Sequence, residues 1–124
     1  MERSSIDTLN DIAQVIYDKN GMNILALDVQ GLSSITDYLL IAEGNVGRHA
    51  TSIAKAIIEE LKEKGETPGH VEGLQTGDWV VVDFGHVMVH LFTAGLREKY
   101  ELEKLWPESK IVDLHIDISK KAMG

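Results

Sequence analysis

Apolar residues recur at two different periods along this chain, and the changes of period mark its elements. Ile6, Leu9, Ala13, Ile16 and Tyr17 follow helical spacing. Ser4 and Ser5 are placed to cap that helix, and Asn20-Gly21 to stop it. Two short, nearly continuous apolar runs follow, NILALDV (23–29) and TDYLLIAE (36–43), separated by a turn over 30–34. Such runs predict mostly buried strands. Asn45 is the expected cap of a long helix from Val46, with Ala50, Ile53, Ala54, Ile57 and Leu61 as its apolar stripe and Gly65 as its stop. His70–Glu72 predicts a short strand.

The period drops to two in GDWVVVDFGHVMVHLF (77–92), which reads as a β-hairpin. A two-residue turn at Gly85-His86 pairs Phe84 with Val87, Val82 with Val89 and Val80 with Leu91, a wholly apolar face that belongs to a core. The opposite face then carries Trp79, Val81 and Asp83 across from Phe92, His90 and Met88. A solvent face would alternate to polar residues. This one keeps Trp, Phe, Met and Val, so it is covered by the chain itself or by a partner. Thr93 is placed to cap a third helix running to about Trp106, ended by Pro107. From Val112 to Ile118, Val, Leu, Ile and Ile alternate with Asp113, His115 and Asp117, a half-buried strand pattern. It would add to this chain's sheet edge or to another copy's, since left bare it invites aggregation. Residues 119–124 read as a frayed end.

At 124 residues the chain predicts one domain with a true core. The absence of cysteine excludes disulfides and thiolate metal sites. No apolar run approaches a membrane span, and the start has no apolar secretory core, so a cytoplasmic protein is expected. The formal charge is −8, with twelve Lys and Arg that form no basic stripe in the sequence. This disfavours direct nucleic-acid binding and favours a basic protein partner.

Candidate chemistry is sparse. His86 and His90 lie four apart on a hairpin, roughly 13 Å in strand geometry and too far for one ion. Asp28, Asp37 and Asp83 stand at strand ends, where two-metal transferases place carboxylates, but no D-x-D with a Gly-Ser turn accompanies them. Turn capping is the competing role. GNVGRH (44–49) opens a helix without a phosphate-loop pattern, and Ser33-Ser34 lacks a nucleophile-elbow context. No catalytic residue, metal or cofactor is implied. Binding is better supported than catalysis, with Trp79 as its sharpest element.

Several blocks together, LALDVQGLSSITDYLLIAEG, RH at a helix start, VEG, GDWVVVDFGHVMVHLF and YELEKLW, resemble the ribosomal silencing factor S (Iojap) family over residues 5–106. The resemblance implies an α/β (α+β) domain with a single mixed sheet of about five strands and helices mainly on one face, related to nucleotidyltransferases but not known for catalysis. The domain would span 1–110, followed by an extended tail over 111–124. It implies a translational repressor that binds the large ribosomal subunit through ribosomal protein fourteen and blocks subunit joining, with a link to large-subunit assembly and little direct nucleic-acid contact. The implied contact residues are Trp79, Tyr100, Glu101, Leu102, Glu103 and Lys104. Hairpin geometry adds Asp83, Met88 and His90, and helical spacing adds Arg97. His86 stands where the family commonly has an acidic residue. Two other readings stay open: a metal-dependent nucleotidyl or phosphoryl transferase using Asp28, Asp37 and Asp83, and a homodimer that hides the outer hairpin face.

Overall fold

The computed structural model describes residues 3–118. Helix α1 (Ser5–Asp18) opens with a capping box: the Ser4 hydroxyl accepts from the Asp7 N–H, and the Asp7 carboxylate accepts from the Ser4 N–H. Its buried stripe is Thr8, Leu9, Ile12, Ala13 and Ile16, whereas Ile6 is exposed and Tyr17 half-buried. Strands β1 (Met22–Asp28) and β2 (Tyr38–Gly44) follow, then helix α2 (Gly47–Glu63). The expected Asn45 cap is not formed. Val46 occupies the cap position without a side-chain bond, and the Asn45 N–H donates instead to His49 Nδ1 at 2.9 Å.

Strands β3 (His70–Glu72), β4 (Trp79–Asp83) and β5 (Val87–Thr93) complete the central sheet. The hairpin register matches its alternation: Val80 opposes Leu91, Val82 opposes Val89, Trp79 opposes Phe92 and Asp83 opposes Met88. A sixth strand, β6 (Lys110–Ile111), adds to β1, so the sheet order is β3-β4-β5-β2-β1-β6. Every pairing is antiparallel except β2 beside β5. No helix among the described residues is long and apolar enough to cross a membrane.

Both long helices lie on one face of the sheet. Leu9, Ile12, Ile16, Ile53, Ile57 and Leu61 close there over Leu40, Val80, Val82, Val89 and Leu91. The helix expected over 93–106 does not run through. Thr93 ends β5, α3 covers only Leu96–Tyr100, Glu101 adopts a left-handed conformation (φ 45°, ψ 47°), and a 3₁₀ turn spans Leu102–Leu105. The reason is geometric. Leu96 and Leu102 both pack into the second core, and six residues of straight α-helix would place them roughly 120° apart around the axis. A break lets both face the sheet.

The tail also departs from a strand over 112–118. Val112, Leu114 and Ile116 do point inward, onto the helix-side core. Beyond the Val112 N–H, which donates to the Ala26 carbonyl, two side chains of α1 take the place of a neighbouring strand. Asn10 accepts from the His115 N–H at 2.8 Å, and Gln14 accepts from the Asp117 N–H while donating to the Asp117 carbonyl. Residues 119–124, expected as a frayed end, lie outside the described residues.

The hairpin tip is tied to the helix layer. His86 Nε2 donates to Glu66 at 2.9 Å, and the Ser5 hydroxyl lies 2.7 Å from His86 Nδ1. Glu66 also accepts from Thr8 Oγ1 and Arg3 Nε. Burial alone would raise the Glu66 carboxyl, but the hydrogen bonds from Thr8, Arg3 and His86 outweigh it and hold it below its ordinary range. Glu66→Ala leaves three donors without their acceptor, and urea titration near neutral pH should show a loss of about 1–3 kcal/mol. Because the carboxyl is depressed in the fold, its contribution is present above its unfolded pKa and lost as pH falls through the folded one. Wild-type and Glu66→Gln stabilities should therefore converge in acid. A gap that stays constant on acidification would show that the charge is not what stabilises.

Candidate partner-binding face

The sheet face opposite the long helices is built in rows. Register across β1, β2, β5 and β4 aligns Leu27, Leu39, Met88 and Asp83, then Leu25, Ile41, His90 and Val81, then Glu43, Phe92 and Trp79. Leu39, Ile41 and Phe92 are fully buried, and His90 is nearly so. Their cover is the broken segment 96–106, which inserts Leu96, Leu102 and Trp106. The outer hairpin face is therefore closed in large part by its own chain.

Trp79 is the hinge between sheet and cover. Its ring centroid lies 5.0 Å from Phe92 and 4.7 Å from Tyr100, and its Nε1–H donates to His90 Nδ1 at 2.9 Å. Accepting at Nδ1 makes His90 a neutral ring protonated on Nε2. Burial pushes the His90 imidazole down to about 4, against the opposing pull of the Asp83 charge. Tyr100 continues the stack outward and keeps 47% of its surface exposed.

The ten residues singled out in the sequence fall into three sets. Trp79, His90, Leu102 and Arg97 belong mainly to the inside. Arg97 in particular is a clamp rather than a free rim cation: it donates to Glu43 at 3.2 Å and to the Asn23 carbonyl, and its Nε lies 3.7 Å from Glu103. Tyr100, Glu101 and Lys104 are exposed, Lys104 pairing with Glu101 at 3.1 Å. Met88, Asp83 and Glu103 are half-buried. Sequence reasoning missed Leu105, which is 64% exposed and lines a recess of about 290 Å³ with Leu32, Trp106, Pro107 and Glu108. No periodicity in the sequence signals it: Leu102 and Leu105 stand three apart, a spacing that would put both on one side of a tight turn.

Of the strand-end carboxylates, Asp28 and Asp83 do not converge. Asp28 pairs with Tyr38, in the row that continues to Val87 on the helix side, whereas Asp83 shares the opposite face with Trp79 and Val81. Three inter-strand steps, roughly 14 Å, also separate β1 from β4. Asp28 accepts from the Gln30 N–H and Asp83 from the Gly85 N–H, both turn-capping roles. Among the described residues no group of three or more His, Asp or Glu is arranged to hold a metal ion.

A mixed sheet with helices on one face and a short aromatic cover on the other defines a small α+β domain whose distinctive surface is that cover. Residues 2–123 match the family described as ribosomal silencing factor during starvation, and the chain belongs to that family. It is 39% identical over 120 residues to the Ribosomal silencing factor RsfS of Bacillus subtilis, covering 97% of this chain and 100% of that one. It is 46% identical over 87 residues to that of Haemophilus influenzae, covering 69% and 84%. A crystal structure of a Chromobacterium violaceum protein superposes with a TM-score of 0.77 at 33% identity, covering 86% of this chain and 87% of that one. A mouse relative, 32% identical over 98 residues covering 77% of this chain and 43% of its own, is named Mitochondrial assembly of ribosomal large subunit protein 1. The family is ribosome-associated and acts in translational regulation.

The neutral His90 carries a pH consequence. Its pKa is lower folded than unfolded, so the unfolded chain binds the extra proton first. Stability is complete above pH about 6.5 and falls towards pH about 4, by on the order of 2–3 kcal/mol. His90→Asn should flatten that part of the pH–stability profile in denaturant titrations. An unchanged slope would assign it to other groups.

Proposed function

We propose that the chain docks on ribosomal protein fourteen of the large subunit through the outer side of its aromatic cover, and so blocks joining of the small subunit. The supporting observation is the Phe92–Trp79–Tyr100 stack, an aromatic anchor held rigid from beneath and exposed only at its Tyr100 end. A pre-ordered aromatic loses little side-chain entropy on binding, and Tyr is among the residues enriched where truncation costs most. Glu98 and Glu101 stand exposed beside Tyr100, and Leu105 and Leu32 extend the apolar area. An acidic rim around an apolar centre suits a basic ribosomal protein, and the net charge of −8 steers the encounter. The name of the mouse relative adds weight to a large-subunit partner and to a part in subunit assembly. The geometry of Asp28 and Asp83 lends no comparable support to a transferase.

Tyr100→Ala should weaken co-sedimentation with purified large subunits ten-fold or more, since one decade corresponds to ~1.4 kcal/mol, while leaving the melting temperature nearly unchanged. Trp79→Ala should lose both binding and stability, because it removes the support of the cover. Full binding by a folded Tyr100→Ala protein would exclude this face as the contact.

A further inference from the structure

A second surface lies on the helix side. Helix α2 and the loop 74–76 enclose a groove of about 910 Å³, with Lys19, Arg48 and Lys55 along it and Ser52, Gln75 and Thr76 among its polar lining. In a chain this acidic, the grouping is unusual. Arg3, Lys64, Arg97 and Lys104 are each ion-paired. Lys19, Arg48 and Lys55 carry no ion pair among the described residues, and Glu59, near one end, is the groove's single acid.

The groove is a built feature. His49 Nε2 donates to the Lys19 carbonyl at 2.6 Å and His49 Nδ1 accepts from the Asn45 N–H, which pins the end of α1 beside the first turn of α2. That brings Lys19 next to Arg48. The far wall is fixed by the Thr51 hydroxyl donating to the Leu74 carbonyl at 2.9 Å. At its end, Gly47 and Gly77 let two backbones touch: a Cβ on Gly77 would lie 1.9 Å from the Gly47 carbonyl oxygen, and one on Gly47 would lie 2.1 Å from that of Thr76. Arg48, Ser52 and Lys55 follow one another along a single face of α2, about 10 Å from first to last along the axis.

We propose that this groove holds a stretch of ribosomal RNA backbone, an inference that rests on the large-subunit docking described above. Three unpaired cations spaced along an open groove match the repeated charge of a phosphodiester chain better than the single charge of a free phosphate. The polar lining offers hydroxyls and an amide that can hydrogen-bond phosphate and sugar oxygens, contacts that position rather than select. The wall residues Leu74–Thr76 run almost directly into Trp79, so a body seated at the aromatic cover lies within reach of the groove. The chain's net charge of −8 disfavours RNA over much of the remaining surface, so a contact along this track would orient the domain.

The test compares wild type, Lys19→Ala/Arg48→Ala/Lys55→Ala and Tyr100→Ala for binding to purified large subunits over a range of salt concentrations. All three cations are exposed, so the triple variant is expected to fold. Its log-affinity against log-salt slope should be shallower by about 2–3, at slightly under one per phosphate contact, while its affinity for isolated ribosomal protein fourteen stays at the wild-type value. A photo-crosslinker tethered through Ser52→Cys should label RNA in the complex. An unchanged salt slope, or crosslinks to protein alone, overturns the groove assignment and leaves the docking reading intact. Full binding by Tyr100→Ala with a shallower slope for the triple variant overturns the docking face and supports the groove. No binding by the unaltered protein sinks both.

Discussion

Strand β5 is apolar on both sides, and most of the architecture follows from having to bury both. Val87, Val89 and Leu91 face one way, His90 and Phe92 the other, and all are buried. Paired with β4 on one flank and β2 on the other, β5 is central in the sheet, and its two apolar faces each need a covering layer. Two amphipathic helices close the first side. The second receives a short segment that must break at Glu101 to put Leu96 and Leu102 on the same surface. The left-handed Glu101 costs on the order of 1 kcal/mol as a local conformation, and the burial of the two leucines offsets it.

Much of this was legible in the residues, and the exceptions have a common cause. The hairpin register, the two long helices and the buried strands are written in periodicities that each element satisfies locally. The break at Glu101 is not, because nothing between Arg97 and Lys104 forbids a continuous helix; the constraint comes from the sheet beneath. The tail shows the same limit. Its alternation correctly marks Val112, Leu114 and Ile116 as inward, but a period of two does not say what receives the backbone, and here Asn10 and Gln14 do. β6 arises one step earlier than the pattern suggests, where the chain passes the free edge of β1.

The same distinction runs through the binding face. Trp79 and His90 are visible in the sequence as aromatic or titratable residues on an unexplained face, and Tyr100 enters through the family resemblance. Their division of labour appears only in three dimensions: Trp79 and His90 hold the cover, and Tyr100 presents it. Arg97 illustrates the point from the other side, since a rim cation by spacing proves to be an internal tie between β2 and the cover. His86, the departure from the family pattern, is likewise absorbed by the fold, joining the hairpin tip to Glu66 and Ser5.

The position of the cover in the chain bears on the order of assembly. Segment 96–106 follows β5 after a link of only two residues, so it reaches the far side of its own strand at little loop-closure cost. The pairing of β2 with β5, by contrast, joins Tyr38 to Val87 across a helix and a hairpin, a non-local and intrinsically slow step. On a ribosome making this protein, the hairpin and its aromatic cover can mature as one late local unit, only after β1, β2 and α2 have already emerged.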